Sequence, residues 1–128
     1  MALCMTEHTY RIICDCNEEI LNEIIHQWWE ETTYSKKELI EDLLPKRFYG
    51  TFRIGHYRGE SKIRFIFGIK GKDPKTIFKI SILFPDWSPI YPHNTLQDII
   101  CWFVSSLRKR NIKTEFKQKI FSKKIICP

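Results

Sequence analysis

The sequence predicts an α+β sandwich: a mainly antiparallel sheet with helices packed on one face, in the order β-α-α-β-β-β-α-β. Apolar residues recur with a helical period over residues 18–29 and 95–107, and with a period of two over residues 47–84. The 128 residues are 43% hydrophobic and include only five Gly and six Pro. We therefore expect one compact domain over residues 1–128, without linkers.

A strand over residues 9–16 and a helix form the predicted beginning of the fold. In the strand, Tyr10, Ile12, Cys14 and Cys16 would share one face. Asn17 can cap the helix that follows, because its side-chain oxygen can accept a first-turn N–H. The apolar stripe of this helix is Ile20, Leu21, Ile24, Ile25 and Trp28.

A second helix is predicted over residues 35–44, since Ser35 and Glu38 form the S-x-x-E pattern of a capping box. A three-stranded meander would follow, with turns at residues 59–61 and 71–75. Its core-facing positions, read with a period of two, are Phe48, Phe52, Ile54, Ile63, Phe65, Phe67, Ile69, Phe78, Ile80 and Ile82.

The third helix is predicted to begin at Asn94 or Thr95, with Asp98 in its first turn. Its apolar stripe is Leu96, Ile99, Ile100, Phe103, Val104 and Leu107. Bases follow from Arg108 to Lys124, and a last strand is expected within them, near residues 112–117.

The net charge of +6 is unevenly divided along the chain. Residues 1–46 hold four bases and ten acids, whereas residues 47–128 hold seventeen bases and five acids. Such a basic region is typical of proteins that bind nucleic acid or an acidic protein surface. The opposite charges could also join two copies of the chain. No apolar run is long enough to span a bilayer, so no membrane partner is expected.

The outward positions of the meander place tyrosines among bases, a combination that suits single strands because rings stack bases while cations hold phosphates. A merely solvated sheet face would look similar. We predict a small non-enzymatic domain that binds nucleic acid, with RNA or other single strands favoured. The expected contact residues are Tyr49, Arg53, Tyr57, Arg64, Arg108, Lys109, Arg110, Lys113, Lys117 and Lys119.

The alternative hypothesis is a protein-interaction or inhibitor module, with Trp29 and Trp87 as anchors of the partner. A composition rich in Ile, Lys and Phe fits a small viral accessory protein as well as a cellular one. Five cysteines without a repeated spacing predict free thiols, and hence a cytoplasmic or nuclear protein.

No cofactor, metal or catalytic residue is expected, because the histidines are scattered and Cys14 and Cys16 fit a buried pair. One minority hypothesis is a metal-dependent nuclease. Pro85-Asp86 and Glu115-x-Lys117 resemble the PD…ExK pattern of restriction-like nucleases, which would require Asp86 and Glu115 to meet at a metal ion.

A second resemblance concerns the segment Phe84-Pro85-x-x-Ser88-Pro89-x-x-Pro92. It resembles the F-P-x-x-Y-P-x-x-P segment that follows the third meander strand in ubiquitin-conjugating enzymes and their inactive relatives. Ser88 stands where Tyr is usual, and the segment that bears the catalytic Cys is absent. The resemblance therefore implies a shared sheet geometry or a non-catalytic relative, and the functional hypothesis does not depend on it.

Overall fold

The computed structural model describes residues 5–43, 46–56, 59–85, 92–116 and 122–126. It is a small α+β fold with two helices and an antiparallel sheet. The elements are β1 (Met5–Cys14), α1 (Glu18–Glu31), β2 (Ser35–Leu43), β3 (Lys46–His56), β4 (Gly59–Lys72), β5 (Lys75–Pro85), α2 (Pro92–Lys109), β6 (Thr114–Phe116) and β7 (Ser122–Ile126). The sheet has the order β2-β3-β4-β5-β1, and the short β6 and β7 pair with successive parts of the remaining edge of β1.

The first helix forms where its sequence predicts it. The Oδ1 atom of Asn17 accepts the N–H of Ile20 at 3.1 Å, which satisfies one of the free donors at the start of α1. Glu18 and Glu19 occupy the first turn, where negative charge favours the helix dipole. The predicted stripe is the buried side of the helix, except that Ile20 is half-buried.

Aromatic rings join both helices to one face of the sheet, which we call the inner face. Of the ten residues predicted to face the core from the meander, nine are buried and Ile54 is half-buried. The Trp28 ring of α1 lies 5.1 Å from Phe67, and the Phe103 ring of α2 lies 5.4 Å from Phe67 and 4.9 Å from Phe78. These edge-to-face contacts make Phe67 a shared contact of the two helices.

The predicted second helix is wrong, because residues 35–43 form the edge strand β2. Leu39 pairs with Gly50 of β3 and Ile40 pairs with Tyr49. Pairing with β3 gives the backbone hydrogen-bond partners at long range, and this outweighs a weak local capping pattern. Gly50 permits the close approach of the two strands, since a Cβ atom there would collide with the carbonyl oxygen of Glu38.

The connections also differ from the prediction. Gly59 already belongs to β4 and pairs with His56, so the turn predicted at residues 59–61 is wrong, and residues 57–58 between the strands lie outside the described ranges. β4 and β5 are joined by Asp73-Pro74, a shorter turn than predicted. α2 begins at Pro92, so Asp98 does not lie in its first turn. The strand expected after α2 is β6, whereas β7 was not predicted.

Candidate nucleic-acid interface

The outer face is the surface of the sheet opposite the aromatic core, and strand register determines which residues lie on it. Residues that pair directly across antiparallel strands project to the same face. On β3 and β4 the outer pairs are Tyr49 with Ile66, Thr51 with Arg64, and Arg53 with Lys62. The structure therefore places the predicted residues Tyr49, Arg53 and Arg64 on one face.

Bases outnumber acids on the outer face. Among the described residues, nine bases of β1, β3, β4 and β5 have outer positions: Arg11, Arg47, Arg53, Lys62, Arg64, Lys70, Lys72, Lys75 and Lys79. Five acids of the described strands have outer positions, and one of them, Asp42, pairs with Arg47: Glu7 on β1, Glu38 and Asp42 on β2, Glu60 on β4 and Glu115 on β6. Sequence analysis did not place Arg11, Arg47, Lys72 or Lys75 on this face, and it assigned the two lysines to a turn. The period of two in β3 could have found Arg47, but Arg11 required knowledge that β1 lies beside β5.

Three pairs of bases lie directly opposite each other on this face: Lys72 with Lys75 beside the turn between β4 and β5, and two pairs within the strands. Lys79 of β5 pairs with Arg11 of β1, and Arg53 of β3 pairs with Lys62 of β4. Like charges directly opposite destabilise a sheet, by roughly 0.2–1 kcal/mol for a pair. The outer face therefore holds a concentration of positive charge that its own strand pairing does not favour.

The row that contains Lys79 crosses the centre of the sheet. It runs from Arg47 on β3, past Gly68 on β4, to Lys79 and then Arg11. Three steps between neighbouring strands make this row about 14 Å long, at about 4.8 Å per step. The Arg47 guanidinium carbon lies 5.9 Å from the centre of the Tyr49 ring, so the row begins beside an aromatic side chain.

The middle of the outer face is less exposed to solvent than the charged residues around it. Thr9 and Ser81 pair across β1 and β5, their hydroxyl oxygens lie 3.1 Å apart, and both residues are buried. Apolar residues at outer positions around them are half-buried: Ile13, Ile66, Ile77 and Leu83. The middle of the outer face, which we call its floor, thus consists of hydroxyl and apolar groups, and bases lie around it. Sequence analysis predicted only bases and tyrosines on this face.

Three of the predicted C-terminal bases lie on the helix side of the molecule. Arg108 and Lys109 are exposed in the last turn of α2, whose Phe103 packs on the inner face. Arg110 follows α2 and is tied to α1, because its guanidinium donates to Glu23 at 3.5 Å and to Gln27 at 3.2 Å. These three bases are therefore separated from Tyr49 by the thickness of the sheet.

Lys113 reaches the margin of the outer face. It lines a shallow cavity of about 230 Å³ together with Ile13, Lys75 and Glu115. The predicted contact residues Tyr57, Lys117 and Lys119 lie outside the described ranges, as does Asp86, so the meeting of Asp86 with Glu115 that a nuclease would need stays a hypothesis.

Trp29 has several contacts within the chain. It is half-buried, its ring lies 5.5 Å from that of Phe65, and the Lys37 ammonium lies 4.9 Å from its ring centre. Contacts within the chain thus cover part of the Trp29 side chain, and less of its surface is exposed for contact with a partner. Trp87, the other predicted anchor, lies outside the described residues.

Cys14 and Cys16 are buried side by side at the end of β1. A hydrogen bond from the Cys14 thiol to the Cys16 sulfur raises the pKa of Cys14, since ionisation would break it, and burial raises that pKa further. The same bond lowers the pKa of Cys16. Because a thiol with a raised pKa is a poor nucleophile, the described geometry favours a core role for Cys14.

Comparison with known proteins gives no family for this chain: no protein-family model matches it, and no curated protein does. The described helices include none that is long and apolar enough to cross a membrane. A functional proposal must therefore depend on the geometry of the two sides of the molecule.

Proposed function

We propose that the chain binds single-stranded nucleic acid, RNA above all, on the outer face of its sheet. The observation that carries this proposal is the direct opposition of bases, Lys79 with Arg11 and Arg53 with Lys62. A polyanion that lies over these pairs would convert their mutual repulsion into attraction for phosphate.

The charges suit a phosphate backbone that crosses the strands. The row of Arg47, Lys79 and Arg11 would follow such a backbone over its length of about 14 Å. Arg64 and Lys62, both exposed on β4, would add contacts along a second line. Contacts of this kind supply affinity without reading a sequence.

The floor of the outer face favours a single strand over a duplex. Tyr49 and its paired neighbour Ile66 are half-buried and offer an aromatic and an apolar surface beside the bases. In a single strand the nucleobases can turn toward such a surface and stack on it, whereas a duplex keeps them paired inside. Cytoplasmic or nuclear placement, where reduced thiols and RNA occur together, belongs to the same proposal.

Fluorescence anisotropy with a labelled oligouridine tests the proposal. We expect binding at low salt, tighter than that of a duplex of equal length, with the logarithm of the affinity falling linearly with the logarithm of the salt concentration. For a single strand the slope is about −0.7 for each phosphate neutralised. Absence of binding to single-stranded RNA and DNA at low salt would refute it.

A further inference from the structure

A cavity of about 200 Å³ lies on the helix side, between the end of α1 and the middle of α2. Trp28, Tyr34 and Trp102 give it aromatic walls, and Glu31 and Asp98 bring two carboxylates. The described residues that line it include no base. This lining is the reverse of the outer face in charge, although the chain as a whole is basic.

The aromatic walls are held in place by the core. The Tyr34 ring stacks on Phe52 with the ring centres 4.1 Å apart and the planes 12° from parallel. Trp28 is buried, and its ring contacts Phe65 and Phe67 of the sheet. Because these rings are fixed by packing, a ligand would not have to order them.

The electrostatics of the cavity favour a positive group. Glu31 belongs to the last turn of α1, which contains no base, and Asp98 faces it from α2 across the cavity. Burial raises the pKa of Tyr34, and the nearby charge of Asp98 raises it further because it disfavours the phenolate. Lys37 does not line the cavity, but its ammonium donates to the carbonyl oxygens of Trp29 at 2.7 Å and Thr32 at 3.3 Å and to the Thr32 hydroxyl at 3.2 Å. These bonds offset the negative end of the α1 dipole, so the charge of the lining is that of Glu31 and Asp98.

We propose that this cavity receives the guanidinium group of an arginine side chain from a protein partner. A guanidinium is planar, stacks on aromatic rings and donates in a fork that matches carboxylates, so it uses both the rings and the acids of this lining. The volume is below the range of about 300–1,000 Å³ that is usual for sites of drug-sized molecules, and it fits a single side chain. This site lies on the helix side and is independent of nucleic-acid binding.

The test uses the full chain and a capped Gly-Arg-Gly peptide, with the same peptide containing citrulline as a neutral control of nearly equal shape. NMR follows the indole N–H signals of the tryptophans during titration in the millimolar range. We expect the arginine peptide to shift the Trp102 signal in a saturable way and the citrulline peptide to leave it unchanged. Asp98→Asn and Glu31→Gln should each weaken binding about tenfold, the effect of one hydrogen bond to a charged group.

Glu30→Gln is the matched control variant, since Glu30 is an exposed acid of α1 that does not line the cavity. It removes the same charge and should bind the arginine peptide as the unaltered chain does. Equal shifts with arginine and citrulline, or equal affinities for all three variants, would overturn the proposal. So would a Trp102 signal that broadens with protein concentration alone, because a second copy would then occupy the cavity.

Discussion

The side chains on the two faces of the sheet differ in their effect on the stability of the fold. On the inner face, Phe67 is enclosed by rings from both helices, so its position is explained by the stability it gives. On the outer face, Lys79 and Arg11 oppose each other, and strand pairing gains nothing from that arrangement. Stability therefore accounts for the side chains of the inner face, whereas strand pairing does not account for the opposed bases of the outer face.

A second contrast separates the outer face from the helix side. Five acids of α1 are exposed and the helix contains no Lys or Arg: Glu18, Glu19, Glu23, Glu30 and Glu31. A polyanion would therefore be repelled from α1 and attracted to the opposite surface. α1 and the outer face therefore carry opposite charge, whereas the end of α2 carries the bases Arg108 and Lys109.

The largest effect is expected from a change on the inner face. Phe67→Ala should lower the free energy of unfolding by about 3–5 kcal/mol, because it removes a fully buried ring and leaves a cavity. Urea denaturation followed by tryptophan fluorescence measures this loss.

Ile40→Ala is the control, since Ile40 lies at an outer position of the edge strand and is 52% exposed. Its free energy of unfolding should change by no more than about 0.5 kcal/mol, as is usual for surface substitutions. Similar losses from both variants would contradict the assignment of stability to the inner face.

A smaller effect is expected from the aromatic side chain of the outer face. Tyr49→Ala should weaken binding of a labelled oligouridine about five- to 150-fold, which corresponds to the loss of one stacked base at about 1–3 kcal/mol. Tyr49→Phe keeps the ring and should retain the affinity within about threefold, since hydrogen bonding by the phenol is not required for stacking. Anisotropy at fixed salt measures both, and equal losses would mean that the hydroxyl rather than the ring makes the contact.

Local patterns predicted α1 and the inner face, because an N-cap at Asn17 and the alternation from Phe48 to Ile82 depend on neighbours in sequence. β2 was missed for the opposite reason: its strand conformation depends on pairing with β3, which no local pattern encodes. The candidate site residues likewise fall into those that a local pattern predicted and those that only the tertiary structure places. Period-two reading placed Tyr49, Arg53 and Arg64 together, whereas the addition of Arg11 and the separation of Arg108 required the order of the strands and the path of α2.

The smallest effect concerns stability on the outer face. Lys79→Gln should raise the free energy of unfolding by about 0.2–1 kcal/mol in the absence of nucleic acid, because it removes the repulsion from Arg11. Lys70→Gln is matched to it, since Lys70 is also an outer base but pairs with Ile77, and it should leave stability nearly unchanged. Thermal unfolding at low salt compares the two. A loss of stability in Lys79→Gln alone would show that Lys79 supports the fold.

The most direct test of binding at the outer face compares two double variants, each of which lacks two bases on one side of the molecule. Arg11→Gln/Lys79→Gln and Arg108→Gln/Lys109→Gln change the net charge equally, but the first pair lies on the outer face and the second at the end of α2. For the outer pair, the dependence of log affinity for oligouridine on log salt should become shallower by about 1.4, at about 0.7 for each lost phosphate contact. For the helix-side pair the slope should stay as in the unaltered chain. Equal changes in both variants, or a change only in the helix-side variant, would contradict binding at the outer face.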